Sequence, residues 1–270
     1  MKKYLIILCC TVLCTFASEA QSDSSFRYER TITGVFQHFA VDNLDNIYVL
    51  TPTNQLKKLS ATGDSLAVFN DVKRFGQATM IDVSNPMKVL LYYKDFTSIV
   101  TLDRFLNVRN SIDLRKQGIF QVKAVGQSYD NKIWLYDEVN NRIKKMDDDG
   151  KMIFETPDFR QLFDETPSPQ LLFDQDQYVY LYDSSKAVYV FDYFGTLKNR
   201  ILISGWHNLK VVGNYIFGTV GDTLYRYSTR TFRVEDWQMP AVLRQSKSLH
   251  FSATKIYALK EDRIEIFSLK

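Results

Sequence analysis

Residues 129–150 read YDNKIWLYDEVNNRIKKMDDDG, and the interpretation of this stretch decides the fold. Its apolar run KIWLY is typical of a buried strand, whereas the aspartates before Gly150 resemble a calcium-binding loop. An EF-hand loop requires an acidic residue four positions before Asp149 and a glutamate six positions after Gly150. Those positions hold Lys145 and Thr156. The aspartates are therefore predicted to form a solvated turn that follows a strand.

The same arrangement of apolar run, second strand and turn recurs six times along the chain. Each apolar run is continuous rather than alternating, which indicates a strand buried on both faces between neighbouring units. One anchor residue per repeat can be aligned, at spacings of 37 to 46 residues: Tyr48, Leu91, Trp134, Tyr180, Phe217 and Tyr257. A period near 42 residues is typical of four-stranded propeller blades. The sequence therefore predicts an all-β, six-bladed β-propeller.

The strand after each anchor run ends in a tight turn. Three of these turns carry a glycine, at Gly63, Gly150 and Gly195, where the backbone is expected to need a positive φ. The strands themselves contain lysines such as Lys58 and Lys144. These strands are therefore predicted to lie nearer to solvent than the anchor strands.

The last repeat supplies only three strands before the chain reaches residue 270. An open outer edge on that blade would be an aggregation hazard. Residues 27–33, RYERTIT, alternate like a strand and have no partner in the first repeat. We expect this N-terminal strand to complete the last blade, so that residues 21–270 form a single propeller domain.

Residues 1–20 have the pattern of a cleaved secretory signal peptide. A basic start and a fourteen-residue apolar stretch precede the small residues Ser18 and Ala20. The apolar stretch is too short to span a bilayer. A lipid anchor at Cys14 is disfavoured, because Leu13 stands where a small residue is needed. The sequence therefore predicts a periplasmic or secreted protein with no transmembrane segment.

The composition of the chain limits the kinds of binding and catalysis that can be expected of it. The formal net charge of +3 predicts neither nucleic-acid binding nor capture by an anionic surface. All three cysteines lie in the predicted signal peptide, so the mature chain would have no disulfide or cysteine nucleophile. His38, His207 and His250 fall in different repeats and have no zinc-ligand spacing. With no phosphate loop or GxSxG elbow either, the sequence predicts no catalytic residues and no cofactor.

Three aspartates end the first strands of repeats one, two and four: Asp42, Asp82 and Asp174. They are expected to lie near one mouth of the central channel, where six-bladed calcium-dependent lactonases place their metal ligands. The equivalent positions of the other repeats hold glycine or serine. An aspartate at a strand end usually caps its own turn, so these are weak metal candidates. A sugar-lactone-type hydrolase or lyase at the channel mouth is the alternative function.

Two insertions, at 155–169 and 235–247, depart from the repeat, and insertions on a rigid scaffold often carry binding. Aromatic side chains are the usual anchors of protein interfaces, although packing between blades is an alternative use for them. Five aromatic residues are expected to lie outside the core positions of the repeat and are the candidate partner-binding residues: Tyr93, Phe96, Phe159, Phe163 and Trp237.

Across the six repeats the pattern D-x-x-x-N-I-Y-V … L-x-K-L-x-x-x-G resembles secreted NHL/YVTN-type six-bladed propellers. Residues 81–103, IDVSNPMKVLLYYKDFTSIVTLD, are similar to a family of small envelope propellers of Bacteroidota-type bacteria. Some propellers of that kind belong to the type IX protein-secretion translocon. The resemblance implies a non-enzymatic periplasmic interaction module, a monomer within a complex, whose partner is a large outer-membrane protein. It provides no catalytic residues.

Overall fold

The computed structural model describes residues 26–269, and the predicted signal peptide lies outside them. Within this range, twenty-four strands form six antiparallel four-stranded sheets. Strands within a sheet follow one another in chain order, except in the sheet that joins the two ends of the described chain. The all-β, six-bladed propeller predicted from the repeats is therefore confirmed.

The strands of blades one to three are β2 (His38–Val41), β3 (Ile47–Leu50), β4 (Leu56–Leu59), β5 (Ser65–Phe69), β6 (Met80–Asn85), β7 (Lys88–Tyr93), β8 (Ser98–Asp103), β9 (Val108–Asp113), β10 (Val122–Gln127), β11 (Ile133–Asp137), β12 (Arg142–Met146) and β13 (Met152–Glu155). Those of blades four to six are β14 (Leu171–Gln175), β15 (Tyr178–Asp183), β16 (Ala187–Asp192), β17 (Leu197–Ile201), β18 (His207–Val212), β19 (Tyr215–Val220), β20 (Thr223–Ser228), β21 (Val234–Gln238), β22 (Ser248–Phe251), β23 (Lys255–Leu259), β24 (Arg263–Leu269) and β1 (Phe26–Thr33).

The hydrophobic core lies between blades rather than within them. Six clusters of buried side chains each join two neighbouring blades around the ring. Successive residues of an anchor strand serve opposite interfaces: Leu91 packs towards blade one, whereas Leu90 packs towards blade three. Because side chains alternate across a strand, both faces must be apolar, which accounts for the continuous apolar runs.

The third strands of blades one and three are more buried than their lysines suggest. Lys58, Lys144 and Lys145 are all buried, so although strands such as β20 are somewhat more exposed than their anchor strands, as predicted, the lysines do not reach open solvent. Lys144 Nζ lies 2.8 Å from a carboxylate oxygen of the fully buried Asp137. A buried lysine remains charged when a carboxylate compensates the cost of removing it from water. The outer fourth strands, such as β5, carry the exposed residues instead.

The ring is closed by the N-terminal strand. Strand β1 pairs antiparallel with β24, from Phe26 opposite Leu269 to Thr33 opposite Arg263. It therefore supplies the outer strand of blade six, as the alternation of residues 27–33 predicted. An edge-to-face contact between Tyr28 and the ring of Phe267, with centroids 5.8 Å apart, adds to the backbone ladder.

Two equivalent isoleucines connect fourth strands to the next blade. Ile32 of β1 and Ile112 of β9 are the buried residues of their strands. Each packs against the turn glycine of the following blade, which is Gly63 for Ile32 and Gly150 for Ile112. Both glycines have positive φ, at 97° and 83°, as the sequence predicted. The closing strand therefore makes the same interblade contact as an ordinary fourth strand.

Helical structure is limited to single turns between blades. Two short α-helices, α1 (Val72–Phe75) and α2 (Ala241–Arg244), and two 3₁₀ turns, Leu114–Gln117 and Phe159–Gln161, connect consecutive blades. The insertion at 155–169 folds back, so that its Phe159 stacks on the ring of Phe191 at 5.1 Å. Within residues 26–269, none of the helices is long and apolar enough to span a membrane.

The order of the strands defines two faces of the propeller. In an antiparallel meander the turn after the first strand and the turn after the third strand lie at the same end of the sheet. We call the surface formed by these turns the turn face. The opposite surface, which carries the second-to-third turns and the connections between blades, is the connection face.

Candidate functional site: the central channel and the turn face

The inner strands of the blades surround a cavity of about 560 Å³. Residues from the first strand of every blade line it, and Asp42, Asp82 and Asp174 are among them. The prediction that these three aspartates share one channel is confirmed. Cavities of this size fall in the range that accepts small molecules.

Asp42 caps its own turn, as predicted. One carboxylate oxygen accepts hydrogen bonds from the backbone N–H groups of Leu44 and Asn46, both at 2.9 Å. The other accepts from the Asn46 side-chain amide at 2.8 Å and from the Tyr48 hydroxyl at 3.2 Å. These four donors occupy the side chain, which therefore has a structural role.

Asp82 links blade two to blade three in addition to capping its own turn. One oxygen accepts from the Ser84 backbone N–H at 2.7 Å. The other accepts from the backbone N–H of Gln127, a residue of the next blade, also at 2.7 Å. The Gln127 side chain in turn donates to the Asp82 carbonyl oxygen at 2.9 Å.

Asp174 departs from the turn-capping prediction. Its Oδ2 accepts from the Ser128 hydroxyl and the Trp134 indole, both at 2.9 Å, and from the Tyr129 backbone N–H at 3.2 Å. Its Oδ1 accepts from the Tyr193 hydroxyl at 2.6 Å. Three of these donors belong to blade three, so Asp174 joins two blades rather than capping its own loop.

Asp42, Asp82 and Asp174, the weak candidates for metal ligands, all accept hydrogen bonds from the protein. In the described part of the chain, no group of three His, Cys, Asp or Glu side chains is arranged to hold a metal ion. The run Asp147–Asp149 is a turn, in which Asp147 accepts from the backbone N–H groups of Asp149 and Lys151 at 3.0 and 2.8 Å. Asp103 and Asp192 accept in the same way in blades two and four, so this turn belongs to the repeat.

The strand register reveals a second set of channel residues that the sequence reasoning missed. In each blade one residue of the first strand pairs with the anchor residue. Because the blades are equivalent, these residues lie at the same depth in the channel, which we call one level. Blades four, five and six place Phe173, Lys210 and His250 at this level, and all three line the cavity. The signal was present in the sequence, because the anchor alignment fixes which first-strand residue lies opposite.

The pKa values of Lys210 and His250 are both lowered in the channel. Removal from water lowers the pKa of Lys210 below its ordinary value, and the negative charge of Asp82 opposes this shift. Burial lowers the pKa of His250 well below its ordinary value, and the neighbouring Lys210 lowers it further. The imidazole is therefore neutral at pH 7. The channel thus holds an amine and a neutral imidazole beside the ring of Phe173, which lies 5.4 Å from Lys210 Nζ.

The exposed aromatic side chains are concentrated on the turn face. Of the nine exposed Phe and Tyr residues between 26 and 269, six are on this face: Phe105, Tyr129, Tyr178, Phe194, Tyr215 and Phe232. Only Phe96 and Phe120 are on the connection face. Phe194 is 86 % exposed at the tip of its hairpin, which places a large apolar side chain in water.

Part of this aromatic surface is held in position at the junction of blades three and four. The rings of Tyr129 and Tyr193 stack at 4.9 Å with only 8° between their planes. Lys145 Nζ lies 5.4 and 5.5 Å from these two ring centroids and 2.9 Å from a carboxylate oxygen of Asp130. The hydrogen bond from Tyr193 to Asp174 fixes the stack against the rim of the channel.

The structure separates the five aromatic residues selected from the sequence. Tyr93 is only 4 % exposed and Phe159 is fully buried, so the expectation that these two lie outside the core is wrong. Phe163 and Trp237 are half-buried against core clusters. Phe96 is half exposed, on the connection face. The five residues therefore do not form one surface.

Comparison with solved structures gives similar folds at low sequence identity. A streptogramin B lyase has 15 % identity and a TM-score of 0.60, over 86 % of this chain and 78 % of the lyase. A catalytically inactive histidine-to-alanine variant of virginiamycin B lyase from Staphylococcus aureus, solved with quinupristin, has 13 % identity and a TM-score of 0.62, over 91 % and 100 %. The WD40 domain of Pan2 from Neurospora crassa has 9 % identity and a TM-score of 0.66, over 90 % and 95 %.

The similar structures include both an enzyme and a WD40 domain. No protein-family model matches the chain, and no curated protein has a significant sequence match to it. At identities this low, similarity shows the fold alone. The chain has the β-propeller fold that these lyases and the WD40 domain share.

Proposed function

We propose that this protein is a non-enzymatic interaction module of the periplasm, which binds an outer-membrane protein of a type IX-like secretion machine through its turn face. The observation that carries the proposal is the concentration of exposed aromatic residues on that face. Aromatic side chains supply most of the binding energy in many protein interfaces. The near-neutral net charge of +3 favours such contacts over electrostatic capture.

The stacked pair of Tyr129 and Tyr193 gives this surface a rigid centre. Tyr193 is fixed by its hydrogen bond to Asp174, and Tyr129 lies flat on its ring. Side chains that are already ordered lose little conformational entropy when a partner binds. The hairpin tips at Phe105 and Phe194 extend from the same face and would contact the partner around this centre.

A binding experiment with matched variants tests the turn face. Affinity-tagged protein is used to capture its partner from detergent-solubilised envelope of the producing cell, and the stoichiometry and affinity are measured. Phe194→Ser is expected to weaken capture by about 2 kcal/mol or more, roughly a 30-fold rise in Kd. Phe120→Ser is the control on the connection face, because Phe120 is also exposed in a loop.

Two results would contradict the proposal. The first is normal capture by both Phe194→Ser and Phe105→Ser, and the second is loss of capture with Phe120→Ser alone. The proposed location is tested separately by cell fractionation with N-terminal sequencing of the mature protein. We expect the protein in the periplasmic fraction with Gln21 as its first residue, and a cytoplasmic protein that starts at Met1 would exclude this location.

A hydrolase or lyase in the channel is the second candidate function. The cavity beside Lys210 and His250 favours it, because it contains ionisable groups with perturbed pKa values. The rim carboxylates do not favour it, because hydrogen bonds from the blades already occupy them. Activity against sugar lactones that is lost in His250→Ala, in a protein that melts normally, would support this function over the first.

A further inference from the structure

The amine of Lys210 is unusual among the lysines in the interior of this protein. Five buried lysines each place Nζ within hydrogen-bond distance of a carboxylate or carbonyl oxygen: Lys58, Lys88, Lys144, Lys145 and Lys260. Within residues 26–269, Lys210 Nζ has neither a hydrogen bond nor an ion pair, and its close contact is the ring of Phe173. The fold therefore leaves this amine available to a molecule in the cavity.

The nearest carboxylate is not free to pair with Lys210. Both oxygens of Asp82 accept short hydrogen bonds from backbone N–H groups, of Ser84 and Gln127. The backbone positions of blades two and three fix these bonds, so the carboxylate cannot turn towards the amine without losing both of them and leaving the buried N–H of Gln127 unsatisfied. Asp82 therefore acts on Lys210 only through its field.

We propose that Lys210 is a nucleophilic site, which captures a small, uncharged aldehyde or ketone from the channel as a Schiff base. A lysine that is half-buried in a partly apolar cavity has a larger share of neutral amine than a surface lysine, because desolvation lowers its pKa, and the neutral amine is the nucleophile. The cavity of about 560 Å³ admits such a molecule. This inference does not rest on the proposed function.

The reaction balances without an oxidant or reductant. The amine nitrogen forms a bond to the carbonyl carbon while the π pair of the C=O bond moves to oxygen. The nitrogen then loses its protons, the oxygen leaves as water, and the nitrogen lone pair forms the C=N bond. His250 is neutral and lies at the same level of the channel, so it is suited to carry a proton from nitrogen to oxygen.

The charges around the channel set the class of ligand. Asp42, Asp82 and Asp174 all line the cavity and carry negative charge, which disfavours an anionic carbonyl compound such as a keto acid. Phe173 and Gly126 lie at the same depth in the channel as Lys210 and carry no positive charge. Lys210 is therefore the cation that the cavity lining offers at this depth. An aldehyde or ketone without an acidic group is not repelled by the three aspartates and does not need a second cation.

Reductive trapping tests the proposal on the wild-type protein. Limiting propanal and sodium cyanoborohydride are added at pH 7, and modification of each lysine is followed by peptide mass spectrometry. Lys210 is expected to react several-fold faster than the exposed Lys94 and Lys116 in the same sample. Glyoxylate, an anionic aldehyde, is expected to lose this preference for Lys210.

Variants and outcomes complete the experiment. Lys210→Arg keeps the positive charge and removes the nucleophile, so the trapped product at this peptide should disappear while Lys94 and Lys116 react as before. The proposal is overturned if Lys210 in the wild-type protein reacts no faster than the two exposed lysines. It is also overturned if glyoxylate labels Lys210 as readily as propanal does, relative to the same two lysines.

Discussion

Replacing Ile32 with alanine tests whether the N-terminal strand is an integral part of the ring. Ile32 is 6 % exposed, lies in β1 and packs against the turn of Gly63 in blade one. Ile112 has the equivalent position in β9, is 4 % exposed and packs against Gly150. Ile112→Ala is therefore a matched control within an ordinary blade.

The expected magnitude follows from the buried carbon atoms. Ile→Ala removes three carbons, and each buried methylene contributes about 0.8 kcal/mol, which gives about 2.4 kcal/mol. The cavity that remains adds to this loss, so we expect a decrease of about 3 kcal/mol in the free energy of unfolding. Because the two sites make the same contact, Ile32→Ala and Ile112→Ala should lose similar amounts.

Urea denaturation followed by tryptophan fluorescence measures both variants against the wild type. Thr33→Ala, at an exposed position of the same strand, should change the free energy of unfolding by no more than about 0.5 kcal/mol. A loss below about 1 kcal/mol in Ile32→Ala, together with the full loss in Ile112→Ala, would refute an integral role for β1 in the ring. That result would mean that β1 separates from blade six before the rest of the ring unfolds.

Three further predictions concern charged groups. Calcium and EDTA should both leave the melting temperature unchanged. A bound metal present at 100 times its Kd would stabilise the fold by about 2.7 kcal/mol, which the measurement would detect. A calcium-induced shift that Asp82→Ala abolishes would contradict this prediction. The Asp45 carboxylate accepts from Lys255 and Tyr257, and these bonds lower its pKa although burial opposes the shift. The ionised Asp45 therefore stabilises the fold above the ordinary aspartate pKa, and this contribution is lost as the pH falls through the lowered pKa of the folded state. Asp45→Asn should therefore reduce the dependence of the melting temperature on pH in the acidic range. Lys144→Ala should cost about 3–5 kcal/mol in urea unfolding because it leaves a buried carboxylate unpaired, and a loss below 1 kcal/mol would show that water reaches that site.

The repeat made most of the fold predictable. Six anchor strands with continuous apolar runs required six interfaces, and an unpaired last blade required a fourth strand from the N-terminus. The burial of the third strands was not predictable from their lysines alone. Lys144 and Lys145 are paired with Asp137 and Asp130, and only the folded chain shows which acidic residues reach them.

The candidate site was only partly predictable, for two physical reasons. Tyr93 is the last residue of its strand and Phe159 lies in an insertion, and at such positions the sequence pattern does not reveal whether the chain continues outwards or folds back over the core. Lys210 was missed because lysine is normally a surface residue, and its position in the channel follows from pairing with Phe217 rather than from its own type. The exposed hairpin tips such as Phe194 also required the strand order before they could be placed on one face.

The pairing of β1 with β24 also imposes an order on folding. Phe26 pairs with Leu269, so the first described strand has no partner until nearly the whole chain has been synthesised. Contacts at such sequence separation form slowly, because the loop-closure entropy must be overcome before the contact is gained. Blades one to five can assemble as they emerge, but the apolar side of blade one that faces blade six, including Val49, stays uncovered until the last strands arrive. The nascent protein therefore passes through an open ring with an exposed apolar side, which is the stage at which it is most prone to aggregate.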